Sequence, residues 1–374
     1  MLSYVLVAVF SSAVTMAMVF LLGGVSKLDQ LSALIDECFI EDTDPVVLED
    51  AAAKAMIKAT GDRWSYYIPA AEYASYLEDA KNAYVGIGIT ITVAHDGDGL
   101  QIMEVNENGP AAQAGLMVDD VIIAIEGQPM SGMTTTDARN LVRGKEGTPV
   151  EITVRRGSEK LTFSVERQQV KVTVAFGRMV TDTVGLVSID NFESRCADET
   201  LSAIESLLDQ GAEMLIFDVR NNPGGYAHEL VEILDYLLPE GDLFRTVDYR
   251  GKEAVDTSDG IYLDIPMAVL VNGNTFSAAE FFAVALQEYE AAVVVGEKTT
   301  GKGYFQQTFS LNDGSAVALS TGKYFTPKGI SLEGVGITPD VEIILDEETA
   351  TEVYYGRLDP MEDPQILAAL ELCK

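Results

Sequence analysis

The sequence predicts an α/β protein: a larger core preceded by a small β-rich module, with helical segments ahead of the module and an apolar stretch at the N-terminus. Three observations predict it. From Val170 to Leu345, continuous apolar runs alternate with helical patterns, as in a sheet covered by helices on both faces. From Val85 to Glu166, short apolar runs are separated by tight turns. Before Lys27 the chain carries no charge. The boundaries implied are 1–26 for the apolar stretch, 27–83 for the helical region, 84–168 for the module, 169–345 for the core and 346–374 for an acidic tail.

The first stretch reads as a membrane-spanning helix. Val5–Val25 is apolar apart from Ser11, Ser12 and Thr15, a length that crosses a bilayer. A cleaved signal peptide is the rival; the run is long for one, and no clean small-x-small site follows it. No Lys or Arg precedes the span and Lys27 follows it, so charge does not fix the orientation. In the helical region, Leu28, Leu31, Leu34, Ile35 and Cys38 recur at helical spacing. Pro45–Thr60 reads as a second helix, with Asp44 as cap and Pro45 at its first position. Asp62–Pro69 reads as a packed aromatic loop.

In the module, strands are expected at Gly88–Val93, Gln101–Val105, Val121–Ile125, Val150–Arg155 and Lys160–Val165, with short helices at Ala111–Ala114 and Thr135–Arg143. In the core, strands are expected at Val184–Ile189, Met214–Val219, Met267–Val271 and Ala292–Val295, and helices at Asp198–Gln210, Ala227–Leu238 and Ser277–Glu288. A hairpin, Phe305–Leu311 with Ser315–Thr321, turns at Asn312-Asp313-Gly314. Pro364–Leu372 reads as a closing helix.

Composition narrows the function. The 374 residues include 25 basic and 59 acidic side chains, a net charge of −34. Such a chain repels nucleic acid, so no nucleic-acid partner is expected. The three cysteines, Cys38, Cys196 and Cys373, show no CxxC spacing, which argues against a zinc or redox motif. With only His95 and His228 present, no HExxH helix or histidine-built metal centre can form.

Three segments of the core carry chemistry. Asp218-Val219-Arg220-Asn221-Asn222-Pro223-Gly224-Gly225 ends an apolar strand, where α/β sheets place ligand sites, and its glycines can present bare N–H groups to an anion. Alone, it is a strand-to-helix turn. Asn274-Thr275-Phe276-Ser277-Ala278-Ala279-Glu280 places a serine at a helix N-terminus, in a field that favours a developing oxyanion. Ser277 and Glu280 also match a capping box, so on these residues alone Ser277 reads first as a cap. Gly296-Glu297-Lys298-Thr299-Thr300-Gly301-Lys302-Gly303 nearly matches a P-loop, but Gly303 stands where the magnesium-binding Ser or Thr belongs. The other reading of Lys302 is a buried lysine, neutral through desolvation, acting as a general base.

In the module, Tyr84-Val85-Gly86-Ile87-Gly88-Ile89 is a glycine-spaced loop running into a strand, able to hold a carboxylate on its N–H groups. With Gly109-Pro110-Ala111-Ala112-Gln113-Ala114-Gly115-Leu116, Asp119-Asp120-Val121-Ile122 and Ile125-Glu126-Gly127, it resembles a PDZ domain of the bacterial protease type over about Tyr84–Arg167. The three core segments, in their order and with Gly336-Ile337-Thr338-Pro339-Asp340-Val341, resemble the C-terminal processing peptidases, the tail-specific serine peptidases of family S41, from about Leu28 to Leu345.

The resemblance implies a crotonase-like (ClpP/crotonase) α/β core with an inserted PDZ domain and no cofactor or metal. It matches Ser277 to the nucleophile, Lys302 to the general base and Gln306 to the third member, with an oxyanion hole from the N–H groups of Ala278 and of Gly224 or Gly225. Val85, Gly86, Ile87, Gly88 and Ile89 match the groove for apolar C-terminal tails. Arg143 is a candidate for coupling groove to site, or a solvated surface charge. The implied substrates are proteins or peptides with apolar tails, and the implied location is a bacterial cell membrane, single-pass, with the catalytic part outside the cytoplasm; a homodimer is left open. Phe276, Thr300 and Trp64 depart from the family pattern without removing a catalytic group. No GxSxG elbow exists, and the family uses no catalytic histidine, so His228 and His95 are read as incidental. The competing class is a PDZ scaffold on an inactive peptidase-like domain.

Overall fold

The computed structural model describes residues 26–95, 97–106 and 108–372. The expected membrane span, apart from Ser26, lies outside the described residues. Among those described, no helix is long and apolar enough to cross a membrane.

The described residues form two compact units. The first holds the chain up to Tyr73 together with Gln306–Ser320. Its helix α1 (Lys27–Cys38) starts with a reciprocal cap: Ser26 Oγ accepts from the Asp29 N–H at 3.1 Å, and the Asp29 carboxylate accepts from the Ser26 N–H at 3.0 Å. Helix α2 (Pro45–Lys58) begins with proline after Asp44, whose carboxylate accepts from the Val46 N–H at 2.9 Å. The segment read as an aromatic loop contains strand β1 (Tyr66–Ile68), paired antiparallel with Ala316–Ala318.

The second unit holds Ala74–Phe305 and Thr321 onward. Helix α3 (Ala70–Asp79) leads to the β-rich module. That module comprises β2 (Ala83–Gly86), β3 (Ile89–Val93), β4 (Leu100–Val105), α4 (Pro110–Ala114), β5 (Val121–Ile125), β6 (Gln128–Pro129), α5 (Thr135–Val142), β7 (Pro149–Arg156), β8 (Glu159–Glu166) and β9 (Gln168–Lys171). The sheet runs β3-β4-β5-β7-β8, so β3 is an edge strand. Ile102, Ile122, Ile125 and Ile152 fill the core beneath it. The strands that lead into and out of the module, β2 and β9, pair antiparallel, Ala83 opposite Lys171.

The core continues with β10 (Ala175–Met179), β11 (Val184–Ile189), α6 (Cys196–Asp209), β12 (Met214–Asp218), α7 (Ala227–Leu237), β13 (Gly241–Asp248), β14 (Glu253–Ser258), β15 (Met267–Val271), α8 (Ala278–Glu288), β16 (Ala292–Gly296), β17 (Tyr304–Ser310), β18 (Ala316–Phe325), β19 (Val341–Glu342), α9 (Glu347–Tyr354) and α10 (Pro364–Leu372). Its sheet runs β10-β11-β12-β15-β16-β19, parallel except for β10. All of β15 is buried. One face packs against α6, α7 and α8; the other packs against Ile366 and Ala369 of α10. Two covered faces explain why these strands are continuous apolar runs. The C-terminal end of β18 pairs with β13, Phe325 opposite Arg245.

This topology gathers the chemistry. The three segments singled out in the sequence leave the carboxyl ends of β12, β15 and β16, three adjacent parallel strands. They converge at the carboxyl end of the sheet, where open α/β sheets bind ligands.

Candidate active site

The segment after β12 is fixed by two buried side chains. The Arg220 guanidinium donates to Asp218 Oδ1 and Oδ2 at 2.9 and 2.6 Å, to Asp363 Oδ2 at 2.7 Å and to Gln365 Oε1 at 2.9 Å. Those acceptors compensate for the burial of the cation and tie the loop to the start of α10. Asn222 is fully buried. Its Nδ2 donates to the Ile189 carbonyl at 2.7 Å, and its own carbonyl accepts from the Phe276 N–H at 3.1 Å. The loop after β12 is thereby stitched to the loop after β15.

Gly224 sits where these loops meet. A Cβ there would fall 2.6 Å from Ser277 Cβ and 2.8 Å from the Ala278 nitrogen, and its φ is +89°, so only glycine fits. Its N–H is engaged, donating to Asn222 Oδ1 at 2.8 Å. No acceptor among the described residues takes the N–H of Gly225. The Ala278 N–H, first in α8, has no carbonyl in its own helix to bond. Of the two glycines, Gly224 has its N–H engaged and Gly225 does not.

Ser277 sits at φ +60°, ψ −130°, a strained conformation for a residue with a Cβ. The capping pattern read from the sequence is realised on the backbone. The Glu280 carboxylate accepts from the Ser277 N–H at 3.1 Å, and the Glu280 N–H donates to the Ser277 carbonyl at 2.9 Å. The Ser277 hydroxyl lies 2.9 Å from the Tyr324 hydroxyl.

Glu280 does more than cap. It is wholly buried. Its Oε2 accepts from the N–H groups of both Ser277 and Lys302, at 3.1 and 2.9 Å. Its Oε1 accepts from the Gly301 N–H at 2.8 Å and from the Thr299 hydroxyl. Burial pushes its pKa up, while these four donors pull the other way. A single carboxylate oxygen thus brings the backbones of Ser277 and Lys302 side by side. The glycines flanking Lys302 serve close packing. A Cβ on Gly301 would fall 2.8 Å from the Gly336 nitrogen, and its φ is +82°; one on Gly303 would fall 2.7 Å from the Glu333 nitrogen. Lys302 Nζ stands 5.9 Å from the ring centroid of Phe276, the residue before the serine.

Glu193 adjoins the same site. Its nitrogen would lie 2.6 Å from a Cβ on Gly225, and its Oε2 is buried without a hydrogen-bond partner. Burial raises its pKa to about 7, the negative charge of Glu229 adds to the rise, and Lys302 opposes it. A carboxyl raised in the folded state is most stabilising when protonated, and that contribution is lost as pH rises through about 7. Glu193→Gln, locked neutral, is expected to melt at a higher temperature than the parent at pH 8 and at the same temperature at pH 4, below the ordinary carboxyl value of 4.5. Thermal unfolding at the two pH values checks this; an equal shift at both would assign the effect to packing.

The module carries a groove of about 300 Å³ along the free edge of β3. Gly86, Ile87, Gly88 and Ile89 line it, faced by Val142, Arg139 and Arg143 of α5 and its end; Val85 lies on β2 just before. Arg143 stands 3.8 Å from Glu78 and 5.2 Å from the Tyr84 ring centroid. Gln306 belongs to the first unit, where its amide donates to Ser320 Oγ at 3.0 Å. His228 is exposed and stacks on Tyr226. Among the described residues, no group of His, Cys, Asp and Glu is arranged to hold a metal ion. Sequence reasoning missed Tyr324 and Glu193, and it read Glu280 only as a cap.

The family model described as Peptidase family S41 matches residues 183–343, and one described as PDZ domain matches residues 101–156. The chain is 32% identical over 330 residues to the carboxy-terminal processing protease CtpA of Bacillus subtilis, covering 87% of this chain and 70% of that protein. It is 32% identical over 321 residues to a probable CtpA-like serine protease of Staphylococcus saprophyticus, covering 85% and 65%. The chain thus spans about two thirds of the length of these relatives. Among solved structures, a photosystem II D1 C-terminal processing protease is 28% identical with a TM-score of 0.50, covering 84% of this chain and 86% of that one. A putative S41 protease from Bacteroides fragilis, 17% identical with a TM-score of 0.53 over 85% and 89% of the two chains, shares the fold.

Proposed function

Because the chain belongs to peptidase family S41 and carries a PDZ domain, we propose that it is a serine endopeptidase that cuts protein substrates near their C-termini. Ser277 is the nucleophile, Lys302 the general base, and the PDZ groove selects free apolar tails. The observation that carries this reading is the shared Glu280 oxygen, which accepts from the Ser277 and Lys302 N–H groups together.

In this mechanism neutral Lys302 takes the proton from Ser277 Oγ as Oγ bonds to the substrate carbonyl carbon. The resulting oxyanion accepts hydrogen bonds from the Gly225 and Ala278 N–H groups; one such donor is worth about 3–4 kcal/mol of barrier. Collapse breaks the carbon–nitrogen bond, and Lys302 returns the proton to the leaving amine. Water then hydrolyses the acyl-enzyme with Lys302 as base. Gln306 is assigned its orienting part on its spacing from Lys302 in the sequence. Phe276, facing Lys302, narrows the approach to the lysine. The apolar stretch 1–26 supports a single membrane anchor, with the catalytic part outside the cytoplasmic membrane of a bacterium.

In the groove, an apolar floor beside the edge of β3 suits a tail added as an extra strand, with its carboxylate on the glycine-spaced loop. The test is a peptide ending in an apolar residue, offered with a free carboxylate or as the C-terminal amide, with products located by mass spectrometry. Cleavage near the free end is expected, at a kcat/KM about tenfold or more above the amide, reflecting the lost charge-assisted contacts. Equal rates for the two peptides would remove the tail-recognition part. Cleavage by Ser277→Ala would remove the serine mechanism.

A further inference from the structure

From the contacts around Ser277 Oγ, and resting on its assignment as nucleophile, we infer that Tyr324 is a catalytic residue that donates its phenolic hydrogen to that oxygen and steadies the charge it gains as it loses its proton.

Tyr324 reaches both halves of the dyad. Its hydroxyl lies 2.9 Å from Ser277 Oγ, and its backbone N–H donates to the carbonyl of Gly303, next to Lys302, at 3.0 Å. One residue of β18 thereby spans the distance between the serine and the lysine loop. The phenol is held rigidly. Tyr324 is 4% exposed, and its ring lies 4.4 Å from Phe281 and 5.5 Å from Phe244, centroid to centroid. An aromatic cage of this kind fixes the position of the oxygen without competing for its hydrogen bond.

The direction of that bond follows from acidity. A phenol is a stronger acid than an alkanol, so the phenol donates and the serine oxygen accepts. Burial holds the Tyr324 phenol well above its ordinary pKa, so it keeps its proton at all pH values at which the enzyme would work. With one lone pair of Oγ engaged by Tyr324, the serine's own hydrogen is left to point elsewhere, toward the base. In acylation that hydrogen moves to Lys302 Nζ while Oγ bonds to the carbonyl carbon. Tyr324 loses no proton; its hydrogen bond shortens the gap in basicity between a serine alkoxide and an amine. A hydrogen bond to an oxygen gaining charge is stronger than one to a neutral hydroxyl, so the gain appears in the transition state.

The test is Tyr324→Phe, which keeps the ring and removes the hydroxyl, assayed beside Ser277→Ala with the same tail peptide. The expected result is a fall in kcat of about 10- to 100-fold with KM within about twofold of the parent, an interaction made chiefly in the transition state. Site-specific replacement of Tyr324 by 3-fluorotyrosine, a more acidic phenol of similar shape, gives a readout that packing would not move: kcat is expected to rise in the order Phe, Tyr, 3-fluorotyrosine. Parental or higher kcat in Tyr324→Phe, with Ser277→Ala inactive, would overturn the role of Tyr324 and leave the peptidase assignment standing. Turnover by Ser277→Ala would overturn both. If the Phe variant does not fold, a kcat unchanged by fluorination overturns the inference on its own.

Discussion

Lys302→Arg is expected to lower kcat by about four orders of magnitude, the scale on which catalytic groups of serine peptidases act, while the protein folds as before. Arginine keeps the length and the positive charge but stays protonated at any working pH, so it cannot accept the serine proton. The backbone N–H at position 302, which Glu280 holds, is untouched by the change. Lys302→Ala is expected to lose as much activity, so charge alone cannot explain both results. In the parent, kcat/KM is expected to fall on acidification as the amine takes up a proton. Rates from alkaline to mildly acidic pH, with melting temperatures as a control for folding, check the prediction. Turnover by Lys302→Arg at the parental rate would move the base elsewhere.

Glu280→Gln carries the second large effect. The carboxylate serves four donors: the N–H groups of Ser277, Gly301 and Lys302 and the Thr299 hydroxyl. An amide offers one oxygen and turns an NH2 toward two of those donors. In a fully buried site the unmatched groups cost about 1–3 kcal/mol each. A loss of roughly 3–5 kcal/mol in stability is expected, the cost of breaking a buried charged network. Because the same oxygen spans Ser277 and Lys302, kcat is expected to drop even under conditions where the variant remains folded. Denaturant unfolding and turnover at low temperature separate the two losses. A stable but inactive variant would assign Glu280 a part in the chemistry beyond holding the loops, and a stable, active one would show that the two segments meet without it.

The legible parts of the chain were those with a local signal. Val184–Ile189 and Met267–Val271 are strands with the bounds read from the sequence, because burial on both faces leaves a run that is apolar throughout in the second and broken only by Ser188 in the first. Pro364–Leu372 is a helix as read. Strands β13 and β14 were not foreseen. Glu253–Ser258 is exposed along nearly all its length and exists through pairing with β13, which no local pattern announces. The same holds for β2 and β9, short segments that find each other across the whole PDZ domain.

The site was legible to the extent that its parts end strands. Ser277, Lys302 and the Gly224-Gly225 turn lie where glycine and polar residues interrupt apolar runs. That the N–H of Gly224 is engaged was not legible, since it depends on Asn222 accepting it. Nor was the reason for the glycines around Lys302, which lies in the backbone of residues 332–336. Tyr324 follows Ser277 by 47 positions and belongs to an ordinary aromatic strand; only the fold brings its hydroxyl to the serine.

The most direct measurement on Ser277 as the proposed nucleophile is the mass of the protein quenched during turnover of a tail peptide. An acyl adduct is expected, equal in mass to the N-terminal product less water, mapped by digestion to the peptide containing Ser277 and missing from Ser277→Ala. An adduct on another residue, or undiminished cleavage by Ser277→Ala, would contradict the mechanism.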